Sequence, residues 1–200
     1  MLLSLVFACS GAWGASAGHT LLVFGDSLSA GYGLQPSQGW ASLLQQKLST
    51  EGYGQRVVNA SISGETTSGG KTRLARALAQ HHPDIVILEL GANDGLRGLP
   101  LDATRANLDA MIQLIQEAGA RPLLVGIQLP PNYGPSYTTR FRDLYAALAR
   151  ERRTALVPFL MEGVALDERY MQADGLHPNA AGQPLLLDTV WRALKPLLRR

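Results

Sequence analysis

The stretch Ile85-Val86-Ile87-Leu88 decides the fold class, because consecutive apolar residues of this kind suit a strand that is buried on both faces. A second run, Leu123-Leu124-Val125, follows a segment whose apolar residues fall at helical spacing. Alternation of short apolar runs with amphipathic segments is typical of βα units and parallel sheets. We therefore predict a three-layer α/β/α sandwich.

The same alternation predicts five strands and five helices in this chain. The strands are expected at residues 20–24, 56–59, 85–90, 122–127 and 155–158. The helices are expected at about residues 39–50, 69–80, 102–118, 138–152 and 179–198. No linker rich in Pro, Ser or charge divides residues 20–198, and no internal sequence repeat occurs at a constant spacing. Residues 18–200 are therefore predicted to form a single domain.

Composition restricts the classes of protein that this chain can belong to. It has 200 residues, of which 46% are hydrophobic and 17% charged, enough for a sizeable core. Lys and Arg number 18 against 16 Asp and Glu, and a net charge of +2 is too small for a nucleic-acid partner. The single cysteine, Cys9, excludes an internal disulfide framework and a multi-cysteine metal site. We expect a monomer.

Residues 1–17 have the pattern of a secretory signal peptide. They contain no Asp, Glu, Lys or Arg, and they run through an apolar stretch to Ala15-Ser16-Ala17, which suits cleavage after Ala17. The stretch is too short for a stable membrane anchor, so we expect a periplasmic or secreted protein. No basic residue precedes the apolar stretch, so the start of the leader is expected to be incomplete. The alternatives are a first strand or helix of the mature fold, and a lipoprotein leader ending at Cys9.

Unusually polar segments follow the predicted strands. Residues 25–29, 60–66 and 91–95 come after the first three strands, and residues 174–178 come after the last. Functional groups in open α/β sheets collect at the carboxyl ends of the strands. These four segments are therefore expected to meet at one edge of the sheet.

The residue types in these segments match the needs of acyl transfer, which requires a nucleophile, a base, a group that orients the base and donors for the oxyanion. Ser27 is the candidate nucleophile, His177 the base and Asp174 the group that orients it. The oxyanion donors would be the N–H groups of Ser27 and Gly64, the latter accessible because it lacks a Cβ, and the amide of Asn93. Each residue also has an ordinary structural interpretation, as a helix cap, an Asx turn or a positive-φ glycine.

The four segments resemble those of the SGNH or GDSL hydrolases, a family named after a Ser, a Gly, an Asn and a His in separate blocks. The blocks here are Gly-Asp-Ser-Leu-Ser at 25–29, Ser-Gly-Glu-Thr-Thr at 63–67, Gly-Ala-Asn-Asp-Gly at 91–95 and Asp-Gly-Leu-His-Pro at 174–178. The flanking sequence at 57–64 and 126–134 is similar to the bacterial periplasmic branch of thioesterases, lysophospholipases and arylesterases. The resemblance implies a five-stranded flavodoxin-like sheet, a Ser-His-Asp mechanism, no metal or cofactor, and acyl ester, thioester or lysophospholipid substrates.

Two loops carry apolar residues that are candidates for substrate binding. They are Leu96 and Leu99 after Asn93, and Pro130 and Tyr133 after a neighbouring strand, in a loop that also carries Leu129 and Pro131. We expect them to line a groove leading away from the nucleophile; the alternative is that they close the top of the core. A carbohydrate O-acetylesterase on the same scaffold, and a binding module without catalysis, remain as rival functions.

Overall fold

The computed structural model of the protein describes residues 19–198, in which five strands alternate with seven helices. The predicted signal peptide and Cys9 lie outside the described residues. The strands are β1 Thr20–Gly25, β2 Arg56–Asn59, β3 Ile85–Glu89, β4 Arg121–Val125 and β5 Ala155–Val157. The helices are α1 Ser27–Ala30, α2 Trp40–Thr50, α3 Thr67–His81, α4 Ala92–Leu96, α5 Leu101–Glu117, α6 Pro135–Arg152 and α7 Gln183–Leu194.

The strands form one parallel sheet in the order β2-β1-β3-β4-β5. Right-handed crossovers in this order place α2 on one face and α3, α5 and α6 on the other. The packing agrees, because α2 contacts α7, whereas α3 contacts α5 and α5 contacts α6. The predicted three-layer α/β/α sandwich with five parallel strands is confirmed.

The core lies on both faces of the sheet, as the apolar runs indicated. Every residue of β1 and of β3 is buried, whereas β2 at the edge exposes Arg56 and Asn59. Burial of apolar side chains on both faces is the main stabilising contribution of such a sheet. Among residues 19–198, no helix is both long and apolar enough to cross a membrane.

The helices depart from the predicted ones at several points. Helices α1 and α4, of four and five residues, were not predicted. The last helix was expected from residue 179, but α7 begins at Gln183, because Asn179 forms an Asx turn in which its side-chain oxygen accepts the N–H groups of Ala181 and Gly182. It ends at Leu194 and continues as a 3-10 turn, Lys195–Leu197.

Candidate active site

The candidate site lies where the strand order reverses, between β1 and β3. Ser27 begins α1 directly after β1, and Asn93 lies in α4 directly after β3. Gly64 follows β2, at the same edge. A crevice forms at such a reversal because the connections leave the two strands toward opposite faces, and ligands of open α/β sheets bind there.

The structure brings Ser27, His177 and Asp174 into one chain of hydrogen bonds. His177 Nε2 lies 2.9 Å from Ser27 Oγ, and His177 Nδ1 lies 2.7 Å from Asp174 Oδ2. A carboxylate only accepts hydrogen bonds, so in the neutral imidazole Nδ1 carries the proton and Nε2 is left to accept from the serine hydroxyl. The imidazole is thereby held in the tautomer that a general base needs.

Asp174 is held as a carboxylate by its own loop. Burial raises the pKa of Asp174, but hydrogen bonds from the His177 backbone, the His177 ring and the Leu176 backbone outweigh burial and lower this pKa to about 2. The backbone donors lie 3.0 and 2.9 Å from Asp174 Oδ1. The negative charge opposite the imidazole is therefore present across the neutral range.

Two buried carboxyl groups, those of Asp26 and Glu89, accept hydrogen bonds from the turn that carries Ser27. Asp26 Oδ1 accepts the N–H of Leu28 at 3.0 Å and so caps α1. Glu89 Oε2, at the end of β3, accepts the hydroxyl of Ser29 at 2.7 Å and the N–H of Asp26 at 3.3 Å. A Cβ on Gly25 would collide with Glu89, so only glycine fits at the strand end.

These two carboxyl groups are both fully buried and hold their protons more tightly than usual. Burial raises the pKa of Asp26 to about 6, against the hydrogen bonds from Leu28 and Asn93. Burial, followed by the charge of Asp26, raises the pKa of Glu89 well above its ordinary value. The cause is that a carboxylate loses its water on burial and that two such charges repel.

Asn93 presents its amide between the turns that follow β1 and β2. Its Nδ2 donates to Asp26 Oδ2 at 3.2 Å and to the Glu65 carbonyl at 3.0 Å, while its Oδ1 lies 3.5 Å from Arg97 Nη2. An amide nitrogen has two hydrogens, and both are engaged here. A ligand oxygen therefore receives a bond from Asn93 only by sharing or replacing one of these acceptors.

Gly64 has a φ of 81°, a conformation that favours glycine. A Cβ at this position would meet only Arg97 Nη2, at 3.9 Å, so the space beside Gly64 is open. The backbone conformation, rather than crowding within the protein, is what requires glycine. The open space leaves this part of the backbone approachable from the cleft, whose walls include Gly64.

The site opens into a largely apolar cleft of about 540 Å³. Of the four candidate substrate-binding residues, Leu96 and Pro130 line this cleft, whereas Leu99 and Tyr133 are not among its walls. Leu99 is exposed on the loop after α4. The Tyr133 hydroxyl donates to the Leu96 carbonyl at 3.0 Å, a hydrogen bond that ties the loop after β4 to the end of α4. Binding of substrate by these four residues stays a prediction, and the cleft geometry supports it for Leu96 and Pro130 only.

Several apolar cleft residues were not predicted from the sequence. They are Ile127, Phe159, Met161, Leu166, Met171 and Leu176. Most of them belong to the segment after β5, which the rule on carboxyl ends of strands could have indicated. That segment has no apolar period, so its individual residues gave no signal. Within residues 19–198, no three His, Cys, Asp or Glu side chains form a group that could hold a metal ion.

The doubly wound sheet, with Ser27, His177 and Asp174 joined at its switch point, defines the protein as a serine hydrolase of the α/β/α class. The chain belongs to the GDSL-like lipase/acylhydrolase family, whose model matches residues 23–185. This confirms the family resemblance of the four sequence blocks.

Curated relatives and solved structures resemble the chain over most of its length. It is 55% identical to "Esterase TesA" of Pseudomonas aeruginosa, over 92% of this chain and 91% of that protein. It is 46% identical to "Thioesterase 1/protease 1/lysophospholipase L1" of Escherichia coli K12, over 92% of this chain and 87% of that protein. The structure of the psychrotrophic esterase EstA from Pseudoalteromonas sp., inhibited by monoethylphosphonate, superimposes with a TM-score of 0.86 at 42% identity, covering 90% of this chain and 98% of that one.

Proposed function

We propose that this protein hydrolyses acyl esters and thioesters, including lysophospholipids, through an acyl-enzyme intermediate on Ser27. The observation that carries the proposal is the unbroken series of hydrogen bonds from Asp174 through His177 to Ser27. Ser27 and His177 lie in the wall of the apolar cleft. A serine hydroxyl that donates to a neutral imidazole is activated for attack on a carbonyl carbon.

Acylation follows from this geometry. Ser27 Oγ attacks the carbonyl carbon while its proton passes to His177 Nε2, 2.9 Å away. Asp174 stabilises the imidazolium that forms, since its carboxylate faces Nδ1–H. The imidazolium then returns the proton to the departing alcohol or thiol, and the bond between the carbonyl carbon and the leaving group breaks.

Deacylation uses the same three residues, with water as the nucleophile and Ser27 Oγ as the leaving group. Water attacks the acyl-Ser27 ester and gives its proton to His177, which passes it to Ser27 Oγ as the acid leaves. No group outside the triad is required to move a proton.

The oxyanion is proposed to receive bonds from the Ser27 and Gly64 N–H groups and from the Asn93 amide. As the first residue of α1, Ser27 has an N–H without an intrahelical acceptor. For Asn93, the longer of its two bonds, to Asp26, is the one that the oxyanion would replace. Such donors act mainly in the transition state, when negative charge develops on the carbonyl oxygen.

The substrate class is inferred from the cleft walls and from the names of the relatives. Leu96, Leu129 and Phe159 offer apolar surface beside the triad, which suits an alkyl chain. Relatives of 55% and 46% identity are named esterase, thioesterase and lysophospholipase. No observation of the site favours the carbohydrate O-acetylesterase, whose substrates would call for polar walls.

We also propose that the enzyme acts in the periplasm or outside the cell as a single domain of residues 18–200 and as a monomer. The location rests on the sequence pattern of residues 1–17, and the single domain rests on the continuity of the sheet through the described residues. Amino-terminal sequencing of the enzyme from a periplasmic extract tests the cleavage after Ala17.

Replacement of the nucleophile tests the function. Ser27→Ala is expected to lower kcat for a p-nitrophenyl ester by at least about 10³-fold and to abolish labelling by a serine-directed phosphonate. Ser68→Ala, on the exposed surface of α3, serves as the matched control and should behave as wild type. Retention of more than about a thousandth of the wild-type kcat in Ser27→Ala would mean that another nucleophile acts.

A further inference from the structure

The loop that carries Asp174 and His177 is a narrow hairpin closed by backbone contacts. Met171 and Pro178 form an antiparallel bridge, and the N–H of Gln172 donates to the His177 carbonyl at 2.8 Å. Asp174 and His177 both lie within this hairpin. Its backbone bonds fix the loop internally, but they do not join it to the turn that carries Ser27.

The side chain of Gln172 makes that connection. Its Nε2 donates to the Tyr32 carbonyl at 2.8 Å and to the Pro178 carbonyl at 3.0 Å. The two hydrogens of one amide are thus divided between the turn after α1 and the residue that follows His177. The N–H of Tyr32 in turn donates to the Ser27 carbonyl at 3.2 Å. One half-buried glutamine therefore joins the nucleophile turn to the base loop.

Two further contacts show that this join is closely fitted. Gly33 has a φ of 74°, and a Cβ there would collide with Gln172 Oε1. The ring of Tyr32 lies against the ring of His177, with 4.6 Å between the ring centroids. The turn after α1 therefore contacts the base loop through both the glutamine amide and the imidazole itself.

We propose that Gln172 is a positioning residue, which sets the distance between Ser27 Oγ and His177 Nε2 by clamping the Tyr32 turn to the His177–Pro178 backbone. This inference rests on the proposed function of the Ser27–His177 pair. Ser27 and His177 are 150 residues apart in sequence. A shift of either loop would lengthen the bond through which the proton passes, and such misplacement lowers the rate of the chemical step.

Replacement of the amide donors tests the clamp. Gln172→Leu keeps most of the side-chain volume but donates nothing, and it is expected to lower kcat by about 10- to 30-fold with KM within about twofold of wild type. The rate constant for phosphonate labelling of Ser27 should fall by a similar factor, because labelling uses the same nucleophile and base. Gln113→Leu, on the exposed face of α5, makes the same chemical change away from the cleft and should leave both rates unchanged.

A second variant covers the case in which Gln172→Leu does not fold. Gln172→Asn keeps the amide but is one methylene shorter, so it can reach only one of the two carbonyls, and its kcat should fall between those of wild type and Gln172→Leu. If the folded variants keep the wild-type kcat and labelling rate, or if KM alone changes, the clamp is rejected. Ser27→Ala measured in parallel separates the two proposals, because a fully active Ser27→Ala would reject the proposed function itself.

Discussion

Both amide hydrogens of Asn93 donate hydrogen bonds within the protein when no substrate is bound. Asn93 therefore differs from a donor that has no partner until substrate binds. We expect Asn93→Ala to lower kcat by about 10²–10³-fold with little change in KM, because the amide acts when charge develops on the carbonyl oxygen. Steady-state kinetics on a p-nitrophenyl ester measures both constants.

The same substitution has a second effect, on stability. Alanine would leave the buried Asp26 carboxyl without its bond from Nδ2, so the midpoint of thermal unfolding should also fall. An unchanged kcat together with a lower midpoint would restrict Asn93 to a structural role in the turn after β3.

Among the elements, the end of β3 carries the buried Glu89, and its protonation links stability to pH. The pKa of Glu89 in the folded protein is raised well above 4.5, so the unfolded chain loses this proton at lower pH than the folded protein does. The stabilising contribution of Glu89 to the free energy of unfolding is therefore fully present below about pH 4.5 and is lost as pH rises through the folded-state pKa.

Glu89→Gln should remove this dependence. Glutamine still accepts from Ser29 and from the Asp26 N–H, but it has no carboxyl proton to lose. Thermal melts from about pH 4 to about pH 9 should show a smaller fall in the unfolding midpoint than in wild type. Glu117→Gln, on the exposed end of α5, is the control. Parallel wild-type and Glu89→Gln profiles would contradict the pKa direction.

Helix α4 and the loop after it carry two leucines, Leu96 and Leu99, that allow a matched test of acyl-chain binding. Leu96 lines the cleft and Leu99 does not. If the cleft holds an alkyl chain, each buried methylene should raise kcat/KM by up to about fourfold until the cleft is full. Leu96→Asp should flatten the profile of p-nitrophenyl esters from acetate to palmitate, because a carboxylate beside an alkyl chain is unfavourable. Leu99→Asp should keep it.

The wild-type profile also decides between the substrate classes. Medium chains are expected to react faster than acetate when all esters are measured below the micelle threshold. A profile that peaks at acetate would favour the O-acetylesterase, and equal effects of Leu96→Asp and Leu99→Asp would remove α4 from the acyl site.

How far the elements could be predicted depends on their length and burial. Strands such as β3 were found because burial on both faces leaves an unbroken apolar run, and α5 was found because a long helix completes several turns of its apolar stripe. Helices α1 and α4 are too short for a period to register. The segment between β5 and α7 follows no period, so its contribution to the cleft was missed.

The candidate site was predicted better than the cleft for a related reason. Ser27, Asn93 and His177 stand at strand ends or in turns, where polar residues need an explanation, and their chemistry is specific. Gln172 carried no such signal, because its role depends on where the Tyr32 carbonyl lies in the folded chain.

At the scale of the whole molecule, the proposed chemistry is supplied entirely by protein groups. The nucleophile, base, orienting carboxylate and oxyanion donors all come from residues 27–177. Incubation with EDTA is therefore expected to leave kcat/KM unchanged, measured against a buffer-treated sample. Loss of activity in EDTA that added zinc restores would require a different mechanism.

The separation of Ser27 and His177 along the chain also governs when activity can arise. A ribosome-bound chain that ends before residue 170 already contains all five strands, yet it lacks the base and the residue that orients it. Because a domain acquires structure as it is synthesised, such a chain can hold much of the sheet and still hydrolyse nothing. Catalysis thus begins only once residue 177 has been added, and shorter copies of the chain are inert toward acyl esters because they lack the base.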